Sequence, residues 1–196
     1  MKFALPVKAV INAQKCQAKY DVRYYLEGFH VTKGSVVATN GHYLYQANLK
    51  NCELPDYMQA LVGDNELPES VIINMVQQIK PPIKRAGCEY VLFEIAENDV
   101  IATTIDHLGG KIAVYLGKVV DGKFPDVNKI IPSEVESNFA EIGINADYLK
   151  KLHEICDGNF KAVHMKCHGQ DKPIVFDIKV LNCHYESKFV LMPLKI

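Results

Sequence analysis

Hydrophobic and polar positions along this chain fall into short blocks, and the blocks recur. Val7, Val10, Ile11 and Ala18 lie near one stripe while Lys8, Lys15 and Lys19 lie near another, the spacing of an amphipathic helix over Val7–Lys19. Two strand-like runs follow, Val22–Thr32 and Ser35–Leu49. Inside the second, Asn40-Gly41 separates Val36–Thr39 from His42–Tyr45, and an Asn-Gly pair between β-formers predicts a type I′ hairpin with both residues at positive φ. A second unit opens near Asn65: Pro68 suits a first helical turn, Ile72, Met75, Val76 and Ile79 keep helical period, and Pro81-Pro82 ends it. Strands are predicted over Tyr90–Ala96, Val100–Ile105 and Lys111–Val120, closed by an Asp121-Gly122 turn. The third unit starts with a strand near Glu141–Ile144. Asn145 is its helix N-cap, Tyr148, Leu149, Leu152 and Ile155 form the buried stripe, Gly158 ends the helix, and Lys150 and Lys151 face outward. Ala162–Cys167, Ile174–Asn182 and Lys188–Pro193 are the closing strands.

The pattern is therefore α+β, three units of about 65 residues each reading β-α-β-β-β. Units of this size bury their apolar faces by packing side by side. The polar, acidic stretch Ser133–Asn138 reads as a linker before the third unit.

Composition narrows the function classes. The 196 residues are 48% hydrophobic and 23% charged, which places the chain among ordinary globular proteins and away from disordered ones. With 22 Lys+Arg against 23 Asp+Glu the net charge is −1, so any hold on nucleic acid must come from a local cluster. No apolar run reaches the ~18–20 residues that span a membrane, and Met1–Lys8 is too short and interrupted for a signal peptide. The expected location is cytoplasmic.

Six cysteines fit reduced, mostly buried thiols in such a compartment. Cys167-His168 and Cys183-His184 combine two zinc-ligand types, but adjacent strand residues point to opposite faces and the close-pair spacing of structural zinc sites is missing. Metal and cofactor are not expected. The sequence holds no Gly-rich phosphate loop, no Gly-x-Ser-x-Gly elbow and no His-Glu-x-x-His helix, so the reading is non-enzymatic.

Four segments together resemble the bacterial DNA sliding clamp, the beta subunit of DNA polymerase III. Asp21-Val-Arg-Tyr-Tyr-Leu-Glu-Gly-Phe29 followed by Ala38-Thr-Asn-Gly-His-Tyr-Leu44 is similar to its middle domain. Val120-Asp-Gly-Lys-Phe-Pro-Asp-Val-Asn-Lys-Ile-Ile-Pro132 resembles the segment leaving that domain. Glu141-Ile-Gly-Ile-Asn-Ala-Asp-Tyr-Leu149 and Phe189-Val-Leu-Met-Pro-Leu-Lys-Ile196 resemble the start and end of the final half-domain. The resemblance implies the DNA-clamp fold in a shortened form, three half-domain units where the family's chain has six. Residues 1–131 would be a middle-domain equivalent with halves at about 1–62 and 63–131, 132–138 a linker, and 139–196 a C-terminal half-domain.

The resemblance also implies two functional surfaces. One is an apolar pocket for short linear peptides of polymerases, the clamp loader and other partners. Residue by residue it comprises Leu26, Thr39, Gly41, His42, Tyr43 and Leu44, then Pro125, Lys129 and Ile130, then Val190, Met192, Pro193 and Leu194. Taken singly, Leu26, Leu44, Ile130 and Val190 are ordinary strand core positions; the shared order of the segments makes them a pocket. Tyr43 stands where the family usually has a basic residue, and Asn128 and Lys129 where arginines often sit, which alters peptide preference. The other surface is a basic helical wall holding duplex DNA through phosphates without reading sequence: Lys8, Lys15, Lys19, Lys80, Lys84, Arg85, Lys150 and Lys151. The expected function is a processivity factor that self-assembles, as a dimer or tetramer, around DNA. The alternative is a non-encircling decoy or adaptor that keeps only the pocket.

Overall fold

The structure, a computed structural model, describes residues 1–80, 89–132, 142–156, 161–178 and 185–194. The first β-α-β-β-β run forms as β1 (Lys2–Pro6), α1 (Val7–Cys16), β2 (Phe29–Thr32), β3 (Ser35–Thr39) and β4 (Tyr43–Asn48). After it come α2 (Asp56–Val62), β5 (Val71–Met75), β6 (Tyr90–Ala96), β7 (Asp99–Ile105) and β8 (Lys111–Val119). α3 (Ala146–Ile155), β9 (Val163–Lys166), β10 (Ile174–Ile178) and β11 (Glu186–Leu191) complete the described elements.

All eleven strands join one sheet in the order β1-β6-β7-β8-β5-β2-β3-β4-β11-β10-β9, with every pairing antiparallel. The first strand thus crosses to the second unit, and the third unit is attached by β11 lying against β4, Leu44 opposite Val190 and Tyr45 opposite Phe189. Alternation along each strand divides the core into two faces. Phe3, Phe93, Val36, Tyr45 and Phe189 point to the face that carries α1 and α3, while Val37, Leu44 and Val190 point to the other. Phe3 and Phe93 are cross-strand partners stacked at 5.3 Å, and Phe29 meets Phe93 edge-on at 6.1 Å. Each such fully buried aromatic contributes roughly 1.5–3 kcal/mol through burial.

α1 buries Val7, Ala9, Val10, Ala13 and Cys16 against the sheet. Its buried polar residues tie it to distant segments: Asn12 Nδ2 donates to the Ile155 carbonyl (3.0 Å), and Gln14 Oε1 accepts from the Ile79 amide (2.9 Å). Lys15 Nζ donates to the Glu154 carbonyl (2.7 Å), so α1 and α3 lie side by side. Asn145 caps α3 as its sequence position predicts, its side chain accepting from the Asp147 amide (2.9 Å).

Several expectations need correction. α1 ends at Cys16, leaving Lys19 beyond it. The run Val22–Thr32 is a strand only from Phe29; Tyr24–Glu27 is a 3-10 turn. The helix expected between Pro68 and Pro81 is absent where it can be seen, because Val71–Met75 is β5, paired with β2 and β8. Ile72, Met75 and Ile79 satisfy a helical period, but a β-branched run Val71-Ile72-Ile73 between two strands, with Ile72 and Ile73 buried, gains more as sheet. Pro81 and Pro82 lie outside the described residues. Among the described residues a helix lies earlier, as α2: Pro55 precedes it, Met58 is buried, and Gly63 at φ +69 ends it. Leu149, assigned to the buried stripe of α3, is 37% exposed, while Leu152 and Ile155 are buried. The strand near Glu141–Ile144 reduces, among described residues, to one bridge between Gly143 and Leu194. Gly158 lies outside the described residues, as does the end of the run predicted over Ile174–Asn182.

Candidate functional site: an apolar pocket between the first and third units

The β3–β4 turn is held by its own side chains. Thr39 Oγ1 accepts from the Gly41 amide (3.1 Å) and donates to the Tyr43 carbonyl (2.8 Å), while Asn40 Oδ1 accepts from the amides of His42 (3.0 Å) and Tyr43 (3.1 Å). Gly41 alone takes positive φ, +90. The turn is therefore not type I′: Asn40 serves through its side-chain oxygen, which supplies the amides beyond it in the manner of an Asx turn.

Three further segments converge on this tip. The 3-10 turn brings Leu26 beneath it. Phe124 stacks on His30 (4.9 Å) and Val120 N–H donates to the Ile72 carbonyl (2.9 Å), which hold the segment carrying Pro125 and Ile130 against the sheet. β11 brings Val190 opposite Leu44, and the Met192 amide continues the pairing to the His42 carbonyl (3.0 Å). The result is a cavity of about 240 Å³ lined by Arg23, Leu26, Thr39, Gly41, Tyr43, Leu44, Pro125, Ile130, Val190 and Met192. Its floor is the apolar cluster of Leu26, Leu44 and Val190, and Met192, 38% exposed, forms an adaptable wall.

Of the thirteen residues expected in the pocket, nine line it. His42 instead stacks on Tyr148 of α3 (5.7 Å), and Tyr148 also meets Tyr43 edge-on (5.5 Å). Lys129 points into solvent beside Asp126 (3.7 Å), Leu194 bridges to Gly143, and Pro193 lies past the wall. Tyr43 also stacks on Phe189 (5.6 Å), and burial pushes its phenol up to about 12, so it stays neutral. The lining residue that sequence reasoning omitted is Arg23. Asp21 grips its guanidinium twice, Nε to Oδ1 (3.0 Å) and Nη2 to Oδ2 (2.8 Å). The guanidinium lies directly over Gly41, where an added Cβ would come within 3.0 Å of Nη2. The Asp-x-Arg spacing just before the 3-10 turn was the available signal. The Arg23 hydrogen bond holds the Asp21 carboxyl down to about 2.

The expected basic residues divide. Lys15, Lys19 and Lys151 share a cleft on the helical face with Gln17, Asn40, Tyr43, Gln78 and Glu154. Lys151 is paired with Glu154 (2.6 Å), and that hydrogen bond lowers the Glu154 carboxyl below its ordinary value. Lys80 and Lys150 are exposed, and Lys8 is half-buried on α1. Lys84 and Arg85 lie outside the described residues. Among those residues no group of His, Cys, Asp and Glu is arranged to hold a metal, and no helix is long and apolar enough to cross a membrane. Cys16 and Cys156 are buried, and Cys52 and Cys167 are half-buried.

No family model matches the chain. It is 29% identical over 146 residues to the beta sliding clamp of Escherichia coli K12, covering 70% of this chain and 36% of that protein. To the beta sliding clamp of Proteus mirabilis it is 30% identical over 141 residues, covering 67% and 34%. The chain thus spans about a third of the length of the curated relatives it matches. Among solved structures, a DNA polymerase sliding clamp from Pseudomonas aeruginosa with ligand superposes with TM-score 0.66 at 18% identity, covering all of this chain and 67% of that one. The beta subunit from DNA polymerase of Streptococcus pyogenes gives 0.64 at 12%, covering 100% and 66%. The fold is that of the sliding clamps.

Proposed function

We propose that this chain, which resembles the beta sliding clamps in sequence and shares their fold, is a non-catalytic, clamp-like DNA replication factor. It binds short linear peptides of a polymerase or other replication proteins in the pocket between its first and third units. The observation that carries the reading is the β4–β11 pairing, which sets Leu44 beside Val190 and closes a small apolar cavity where the resemblance places a peptide site. Aliphatic and Met walls suit apolar peptide side chains, and Arg23 at the rim supplies one fixed polar contact.

As a processivity factor the protein would assemble around duplex DNA with its helical face inward. Support comes from Lys15, Lys19 and Lys151 gathered in one cleft on that face, with Lys8, Lys80 and Lys150 as further phosphate contacts and a loader as a further peptide partner. The second reading, a non-encircling adaptor or decoy, has its own support. Glu154 partners Lys151 and its carbonyl takes Lys15, which weakens the basic wall, and Asn65 occupies the amide and carbonyl of Ala4 on the outer edge of β1.

Two measurements test these readings. A clamp-motif peptide titrated by fluorescence anisotropy should bind the wild type and lose at least tenfold in affinity with Met192→Ala; equal binding by the variant overturns the pocket. Retention on circular but not linear DNA, abolished by charge reversal at Lys8, Lys15 and Lys150, supports encirclement. Peptide binding without retention leaves the adaptor.

A further inference from the structure

One wall of the pocket is an irregular strap, residues 120–131, that leaves the end of β8 and is tied down at three points. The Val120 amide donates to the Ile72 carbonyl (2.9 Å), Gly122 lies against Tyr25, and Phe124 stacks on His30 at 4.9 Å with the rings 23° from parallel. Phe124 is the one buried residue of the strap; Lys123, Asp126, Asn128 and Lys129 around it are exposed. Its position sets that of the two strap residues that line the cavity, Pro125 beside it and Ile130 after the turn Val127–Lys129.

The ring beneath Phe124 is a titratable one. His30 of β2 lies between its cross-strand partners, Val37 of β3 and Ile72 of β5, both buried on the face that forms the pocket floor. Its Nε2 is 2.8 Å from Ser70 Oγ, a hydroxyl that serves either protonation state because it both donates and accepts. Val37, Ile72, Ser70 and Phe124, the groups these elements bring to the ring, do not titrate near neutral pH. Charged side chains close by in the chain are engaged or in water: Lys33 pairs with Glu69, Lys129 with Asp126, and Asp121 and Lys123 are exposed. A second cation-free apolar contact is what an imidazolium lacks reason to keep, since charging the ring under Phe124 strips it of water. Burial accordingly lowers the His30 pKa from its ordinary 6.5.

We propose that His30 is the positioning residue of the strap: its neutral ring seats Phe124 and so holds Pro125 and Ile130 over the pocket floor, and protonation of that ring unseats them. Seating lowers the affinity of His30 for a proton, so it is strongest above the ordinary 6.5 and weakens as pH falls below it. The effect on peptide affinity rests on the pocket being a peptide site; the seating of the strap does not.

Hydrogen exchange and titration of a clamp-motif peptide, each at about pH 7.5 and about pH 5.5, test it on the wild type and on His30→Phe, which keeps a ring under Phe124 but gains no proton. In the wild type the protection factor of the Val120 amide, which corrects for the pH dependence of exchange itself, should fall at least about threefold on acidification. In His30→Phe it should not change with pH. Peptide affinity should fall in parallel in the wild type and stay level in the variant, which separates His30 from His42 nearby. Wild-type protection that ignores pH overturns the proposal, as does an equal fall in His30→Phe. A pH-dependent strap with unchanged peptide affinity overturns its control of the pocket. A strap that responds as expected in a chain that binds no peptide at either pH overturns the peptide reading and supports the role of His30. Should His30→Phe fail to fold, NMR titration of the wild-type imidazole decides: a midpoint below 6.5 that coincides with the fall in Val120 protection is expected, and one at or above 6.5 overturns the proposal.

Discussion

Leu44 and Val190 sit opposite each other on neighbouring antiparallel strands, although 145 residues lie between them in the chain. That pairing, together with the contacts of α1 on α3, attaches the third unit to the first and forms the floor of the pocket, so the docking of the two units also shapes the site.

Gly41 is where the pocket rim is most sensitive. Its φ of +90 and the guanidinium 3.0 Å from a built Cβ leave no comfortable place for a methyl group. Gly41→Ala should destabilise the fold by about 1–2 kcal/mol, read as a shift in the urea midpoint. Removing the crowding with Arg23→Ala in the same chain should recover only part of the loss, because the φ strain remains. Full recovery would show that crowding alone sets the residue.

Asn65 holds Ala4 through a donor and an acceptor at once. Asn65→Asp keeps the shape but replaces the donor with an acceptor facing the Ala4 carbonyl. A loss of about 1–3 kcal/mol is expected, with faster hydrogen exchange at the Ala4 amide. Unchanged exchange there would mean that the edge is protected by something else.

Asp21 gives a pH test with a defined sign. Its folded pKa, about 2, lies below the ordinary 3.8, so its contribution to stability is present above 3.8 and is lost as pH falls through about 2. Following the carboxyl carbon by NMR should give a midpoint near 2 in the wild type and one moved up toward 3.8 in Arg23→Ala. The same midpoint in both would remove Arg23 as the cause.

Cys16 is buried beneath the helical face, and burial pushes its thiol up to about 12. Alkylation at neutral pH should spare Cys16 in the folded protein and modify it only in denaturant, while the half-buried Cys167 reacts earlier. Mass mapping of the labelled peptides distinguishes these outcomes, and early labelling of Cys16 would mean that α1 opens readily.

Much of this was legible from residues alone where the signal is local. The start of α1 with Val7 and Val10 on its buried face, the Asn145 cap and the β6–β7–β8 run depend on spacing and turn chemistry within a dozen residues, and they formed where the pattern put them. The gathered pocket residues were named through four ordered segments similar to the sliding clamps, because those segments carry the turn and strand residues that build the cavity. Tertiary pairing decided the rest. Val71–Met75 fits a helix and a strand equally well over so few residues, and the open edges of β2 and β8 determined which it became. Arg23 entered the pocket because Asp21 turned it over Gly41, a relation set by the fold of a turn that periodicity cannot describe. Local spacing fixes which face a side chain takes; only the completed sheet determines what lies opposite it.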